Sequence, residues 1–206
     1  MEHIATAEPT PLNVTHTSQI QLATILAAHY TATRASVDDW LRRRDQYLIL
    51  YITGTAVTFG TYVSKLNASL IIFLVPALTI VTLFAYISAD LHVAYLCNWL
   101  KLEYTALLEK FVHTYGVISL APWHWDNSSS VAEFYDSGVG RLRYVFLGLT
   151  FALANAASLI LVSMLSGRFS MALFNTCAGA ALLSICALAA LYRKRRIMAA
   201  RPVDPA

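Results

Sequence analysis

The sequence predicts an all-α membrane protein: four transmembrane helices arranged as two hairpins, with cytoplasmic helical extensions. Three observations lead there. Of the 206 residues, 57% are hydrophobic and only 13% are charged, about half the ~25% of charged residues usual in a soluble domain. The deficit is concentrated, because windows 47–64, 69–89, 144–165 and 171–192 contain no Asp, Glu, Lys, Arg or His. The basic residues also fall almost entirely on one side of those windows.

Each window approaches the ~20 apolar residues that a helix rising about 1.5 Å per residue needs to cross the hydrocarbon core. The first is the shortest. The 46 residues before it are polar or amphipathic, and the run itself is long enough to stay in the bilayer, so a cleaved signal peptide is not expected. The bias of basic residues sets the orientation. Arg34, Arg42, Arg43 and Arg44 precede the first window. Close to the membrane between the second and third lie Lys101, Arg141 and Arg143, and Arg193, Lys194, Arg195, Arg196 and Arg201 follow the fourth. Only Lys65 and Arg168 occupy the short connections on the other side. Twelve against two puts both termini and the central segment in the cytoplasm, most simply at a bacterial inner membrane. The net charge of +3 is accounted for in this way and does not indicate nucleic acid.

The elements follow in order. Residues 1–17, with Pro9, Pro11 and several Thr, read as a disordered tail. In 18–46, Ile20, Leu22, Ile25, Leu26, His29, Val37, Trp40 and Leu41 fall near helical spacing. With no Pro or Gly between there and Gly54, this cytoplasmic helix can run on into the first span. Residues 47–89 form the first hairpin. Residues 90–143 form a cytoplasmic segment: an amphipathic helix to about Tyr115, then loop-like sequence containing Pro122, Gly138 and Gly140. Residues 144–192 form the second hairpin, and 193–206 a basic tail. Stripes of small residues four apart (Ala56, Gly60 and Ser64; Gly148, Ala152 and Ala156; Ala172, Thr176, Ala180 and Ser184) suit close helix packing in lipid.

The residues with most chemical interest gather at the inner membrane surface. Asp45 and Asp90 lie at nearly equal distances from a hairpin tip near Asn67, so the two arms end at one depth. Arg44 can then pair with Asp90, and His92 with Asp45. A latch that fixes hairpin register and a site that senses, binds or reacts are both consistent with this cluster, since His titrates near neutral pH. Glu103, three helical turns beyond His92, extends the group. Trp123 and Trp125, flanking a His, suit the headgroup zone. Glu109 and His113 have metal-ligand spacing but lack further ligands at matching intervals. The three cysteines form no CxxC pair, and Cys177 and Cys186 point to opposite sides of one helix. No catalytic, metal or cofactor motif is present.

The Arg44-Asp45 pair, Pro76, the run Ile87-Ser-Ala-Asp90-Leu-His92 and Trp99-Leu-Lys-Leu-Glu103 resemble a group of uncharacterised bacterial four-span membrane proteins. The resemblance covers about residues 40–125. In that group the order is His-Asp, whereas here Asp90 precedes His92. It implies the four-span fold and draws attention to Arg44, Asp45, Asp90, His92 and Glu103, but implies no activity.

Three functions are compatible with the sequence. The first is a non-enzymatic membrane protein whose cytoplasmic helices bind a protein partner or mediate assembly, a homo-oligomer included. The second is a small oligomeric pore or membrane-disrupting effector. The third is an enzyme with its site at the inner surface.

Overall fold

In the computed structural model, residues 16–64, 70–100, 104, 138–166 and 170–199 are described. They form four long helices. Helix α1 is His16–Ser64, α2 is Leu74–Trp99 preceded by a 3-10 turn at Ile71–Phe73, α3 is Gly138–Ser166 and α4 is Met171–Ala199. Helix α1 packs along α2, α3 packs along α4, and α2 joins the two pairs through α4.

The chain is a membrane protein. Three of its helical segments, Ile71–Trp99, Arg141–Leu165 and Met171–Met198, are long and apolar enough to cross a bilayer. The window 47–64 in α1 is not among them. Four Thr and three Tyr dilute it, although Thr58, Thr61 and Ser64 each return a hydroxyl to the carbonyl four residues earlier.

The buried residues advance in steps of three and four. On α4 they are Leu173, Cys177, Ala180, Ser184, Leu188, Leu191 and Arg195, and on α3 Tyr144, Leu147 with Gly148 beside it, Phe151, Asn155 and Ser158. Such a repeat is the signature of left-handed helix pairs. The polarity is inverted relative to a soluble bundle. Thr55, Thr58, Thr79, Thr82, Asn155, Ser158 and Ser184 face inward, whereas Phe84, Phe146, Leu153, Ile160 and Leu182 face outward. Water would penalise this arrangement and lipid does not.

Two clusters hold the interior. Tyr51, Leu83, Tyr86, Tyr144, Phe151 and Leu188 anchor the larger one. Tyr62, Ile72, Val75, Leu173 and Cys177 anchor the smaller. In the larger, the Tyr51 and Phe151 rings meet edge to face at 4.8 Å. Between the clusters runs a short polar thread. Thr79 gives its only hydroxyl proton to the Val75 carbonyl, so it accepts from both Tyr51 Oη and Asn155 Nδ2, each at 3.0 Å. Asn155 Nδ2 also donates to the Phe151 carbonyl, which fixes the orientation of the amide. Asn155 Oδ1 is buried without a partner among the described residues.

The amino-terminal extension and the first window are one uninterrupted helix from His16, as the lack of Pro or Gly before Gly54 allows. Two sequence expectations need correction. Residues 138–143, read as loop, form the first turns of α3, because Gly at a helix start costs little and the following Arg residues favour helix. Residues 193–199, read as tail, continue α4. The tail at 1–15 lies outside the described residues, as do the amphipathic helix beyond α2 (Leu100 and Tyr104 apart) and the loop to 137. Cys177 is buried and Cys186 exposed, as their half-turn phase difference requires.

The small-residue stripes are only partly at helix contacts. Ala56, Gly60 and Ser64 all face outward, and nothing lies within 4 Å of a Cβ built on Gly60. The close approach of α1 to α2 is at Gly54 instead, where a Cβ would lie 3.2 Å from Leu78 Cδ1. Gly54→Val is therefore expected to destabilise by about 1–3 kcal/mol through overpacking, and Gly60→Val to be neutral. Thermal melting in detergent ranks the two, and equal melting temperatures would contradict this packing.

Candidate functional site at the Asp90 cluster

Asp90 is the most completely enclosed charged residue in the described structure, with 0% of its surface exposed. It lies one turn after Tyr86 on the buried stripe of α2. Each of the other three helices sends it a polar group. Arg44 of α1 donates from Nη1 to Oδ1 at 3.3 Å. Tyr144 of α3 donates its hydroxyl to Oδ2 at 3.1 Å. Arg195 of α4 brings Nε to 3.1 Å from Oδ2, an ionic contact whose N–H is not aligned for a hydrogen bond. One carboxylate thus ties all four helices together.

A second layer supports the first. Arg44 also donates from Nε to Oδ1 of the exposed Asp45 at 3.2 Å. Arg143 donates to the Tyr86 hydroxyl at 2.8 Å. The Arg143 and Arg44 guanidinium carbons lie 5.8 and 5.9 Å from the Tyr86 ring centroid, within reach of a cation–π attraction. Arg44 and Arg195 are themselves only 7% and 8% exposed. The cluster therefore holds more positive than negative charge.

The other anticipated residues are placed differently. His92 does not meet Asp45. Residues two apart on a helix do not share a face, so the rotation that buries Asp90 turns His92 outward. Its ring stacks on Trp40 of α1 at 4.3 Å, nearly parallel, and its Nδ1–H donates to the Ser88 carbonyl at 2.8 Å. Asp45 stays at the surface on Arg44. Glu103, Trp123 and Trp125 lie outside the described residues, as do Glu109 and His113. Arg195 is a member of the cluster that sequence reasoning missed. Its signal was present, since the inward stripe of α4 reaches position 195 in its next four-residue step.

Beyond the cluster, α1 and α2 stay in contact for several more turns. His29 meets Trp99 at 5.4 Å, Tyr30 meets Tyr104 at 5.3 Å, and the Tyr104 hydroxyl donates to the Leu26 carbonyl at 3.1 Å. Burial, and then the neighbouring Tyr30, push the Tyr104 hydroxyl above its ordinary pKa.

No family model, curated protein or solved structure matches this chain. The chemistry therefore has to be read from the geometry. Two donors and a third guanidinium already crowd the two oxygens of Asp90, and the carboxylate is closed to solvent. An acid, base or nucleophile needs hydrogen-bond reach to a substrate atom, and Asp90 has no open approach. No group of three His, Cys, Asp or Glu among the described residues is placed to hold a metal. The arrangement is suited to fastening helices.

Proposed function

We propose that this chain is a non-enzymatic four-span membrane protein, with both termini in the cytoplasm, whose projecting helices form a rigid platform for a protein partner or for assembly. The observation that carries this reading is the enclosure of Asp90 by groups from three other helices. A closed ionic clasp at the base of the projecting helices favours rigid coupling over reactivity. Separating the carboxylate from its guanidinium partners leaves buried charge uncompensated, so such a clasp punishes misregistered packing.

Two further features support the reading. Ile49, Leu50, Ile52, Val57 and Val63 of α1 are exposed, as they would be toward lipid, so the window 47–64 fits as a fourth span despite its hydroxyls. Helix α1 has 49 residues, about 73 Å at ~1.5 Å each, against a hydrocarbon core of ~30 Å. More than half of it must project, and Ile25, Ala28 and Ser36 on that arm are exposed.

The topology is tested with reporter fusions after Ala206 and within 128–130, both expected to report cytoplasm. A signal from the opposite compartment at either position would contradict the four-span arrangement. The platform is tested by photo-crosslinkers at Ala28, Ser36 and the lipid-facing Leu153. An adduct of one defined mass, shared by the two arm positions and missing at Leu153, is expected. No adduct at the arm, or the same adduct at all three, would count against it.

A further inference from the structure

A groove between α3 and α4 meets the Asp90 cluster only at Tyr144. It has a volume of about 510 Å³, its body lined by Gly148, Ala152 and Leu188 and one end by Arg141, Tyr144 and Tyr192. Small residues open it. A Cβ on Gly148 would only reach ordinary contact, 3.7 Å from Leu188 Cδ1. No charged side chain enters the body of the groove. At its end stands Arg141, exposed, with its guanidinium carbon 5.9 Å from the Tyr192 ring centroid and no carboxylate paired with it among the described residues. Arg44, Arg143 and Arg195 lie at the same end of the bundle, where Asp90 is the one enclosed carboxylate among the described residues.

We propose that this groove holds an acyl chain of an anionic phospholipid, with the lipid phosphate on Arg141. Three features select this occupant. The wall is apolar along its length and cationic only at its mouth, which is the polarity of a phospholipid. From Arg141 to Ala152 the groove runs about 16 Å at ~1.5 Å per residue, close to half of the ~30 Å hydrocarbon core, so it matches one leaflet. A transmembrane helix from a second copy would be expected to use the full span. The exposed Arg141 at the mouth is complementary to a negative headgroup, and basic pockets between spanning helices are known to take such headgroups. This inference requires membrane insertion but does not depend on a protein partner.

The test is native mass spectrometry of detergent-purified, delipidated full chain, titrated with phosphatidylglycerol or with phosphatidylcholine of identical acyl chains. A single phosphatidylglycerol adduct is expected, favoured over phosphatidylcholine by about five-fold, the preference one interfacial arginine supplies. Arg141→Gln should abolish that preference. Ala152→Leu, which fills the groove and leaves Arg141 in place, should remove the adduct. Ile185→Phe closes the groove from the α4 side and replaces Ala152→Leu if that variant melts early. Arg193→Gln, outside the groove, should change nothing. Equal binding of both lipids, or equal loss in Arg193→Gln and Arg141→Gln, would overturn the proposal. So would retention of the adduct in the filled variants, or a dimer that those variants dissolve.

Discussion

Replacing Asp90 by Ala is expected to cost about 3–5 kcal/mol, the largest single loss in the chain. The substitution removes one carboxylate and leaves the Arg44 and Arg195 guanidinium groups enclosed without their shared counter-charge, the expensive way to break a buried ionic group. Asp90→Asn keeps an acceptor for Tyr144 but loses the charge, so it should fall between Ala and the native residue. Arg44→Ala should cost less than Asp90→Ala, because Arg195 and Tyr144 still serve the carboxylate. The Arg44→Ala/Asp90→Ala pair should cost less than the sum of its parts, since the residues share one network. Unfolding in mixed detergent micelles provides all four values. Simple additivity would mean that Arg44 and Asp90 do not act on each other.

The second large loss is expected at Phe151. Its ring has 0% exposure, sits at the centre of the larger cluster and meets Tyr51 edge-on. In a water-soluble core, Phe→Ala costs about 3–5 kcal/mol through lost transfer and the cavity left behind. Here the unfolded reference is in lipid, which is as apolar as the core, so most of the transfer contribution vanishes. Packing alone remains, and Phe151→Ala should fall below that range. It should still exceed Asn155→Leu. The thread from Asn155 to Thr79 and Tyr51 is hydrogen-bonded at 3.0 Å, yet such bonds in membranes average only ~0.6 kcal/mol and reach ~1.7. The expected order is Asp90→Ala, Phe151→Ala, Asn155→Leu. An Asn155→Leu loss above that of Phe151→Ala would mean that the polar thread, not packing, holds the interior.

Much of the fold was legible because bilayer thickness and charge bias impose simple rules. The charge-free windows gave the helices, and equal arm lengths about a tip near Asn67 gave the level at which Arg44 meets Asp90. The same antiparallel register extends from Tyr51 with Thr79, through Trp40 with His92, to Leu26 with Tyr104. Depth alone, however, does not give rotation. His92 was grouped with Asp90 because the two are close in sequence, but a helix turns them to different faces, and only Asp90 is inside. Arg195 was missed for the opposite reason. Its basic neighbours suggested a solvated tail, whereas the three- and four-residue rhythm of α4 carries the inward face past the apolar window. The Gly60 stripe misled because small residues are inexpensive on a lipid-facing surface as well as at a contact. Only the partner helix distinguishes the two, and Gly54 against Leu78 is where it does.

The most direct test of the clasp is to remove its ionic character as a unit. Arg44→Met, Asp90→Leu and Arg195→Met together replace buried ions with apolar side chains of comparable reach. Exchanging a complete buried ionic group in this way is often neutral or stabilising, whereas removing one member is not. The measurement is the unfolding free energy of the triple variant beside Asp90→Ala, with adduct formation at Ala28 and Ser36 followed in both. The triple variant is expected to recover most of the stability lost in Asp90→Ala and to keep the arm adduct. A triple variant that folds as stably as the native chain but loses the adduct would contradict this expectation, because the charges themselves would then be the functional element.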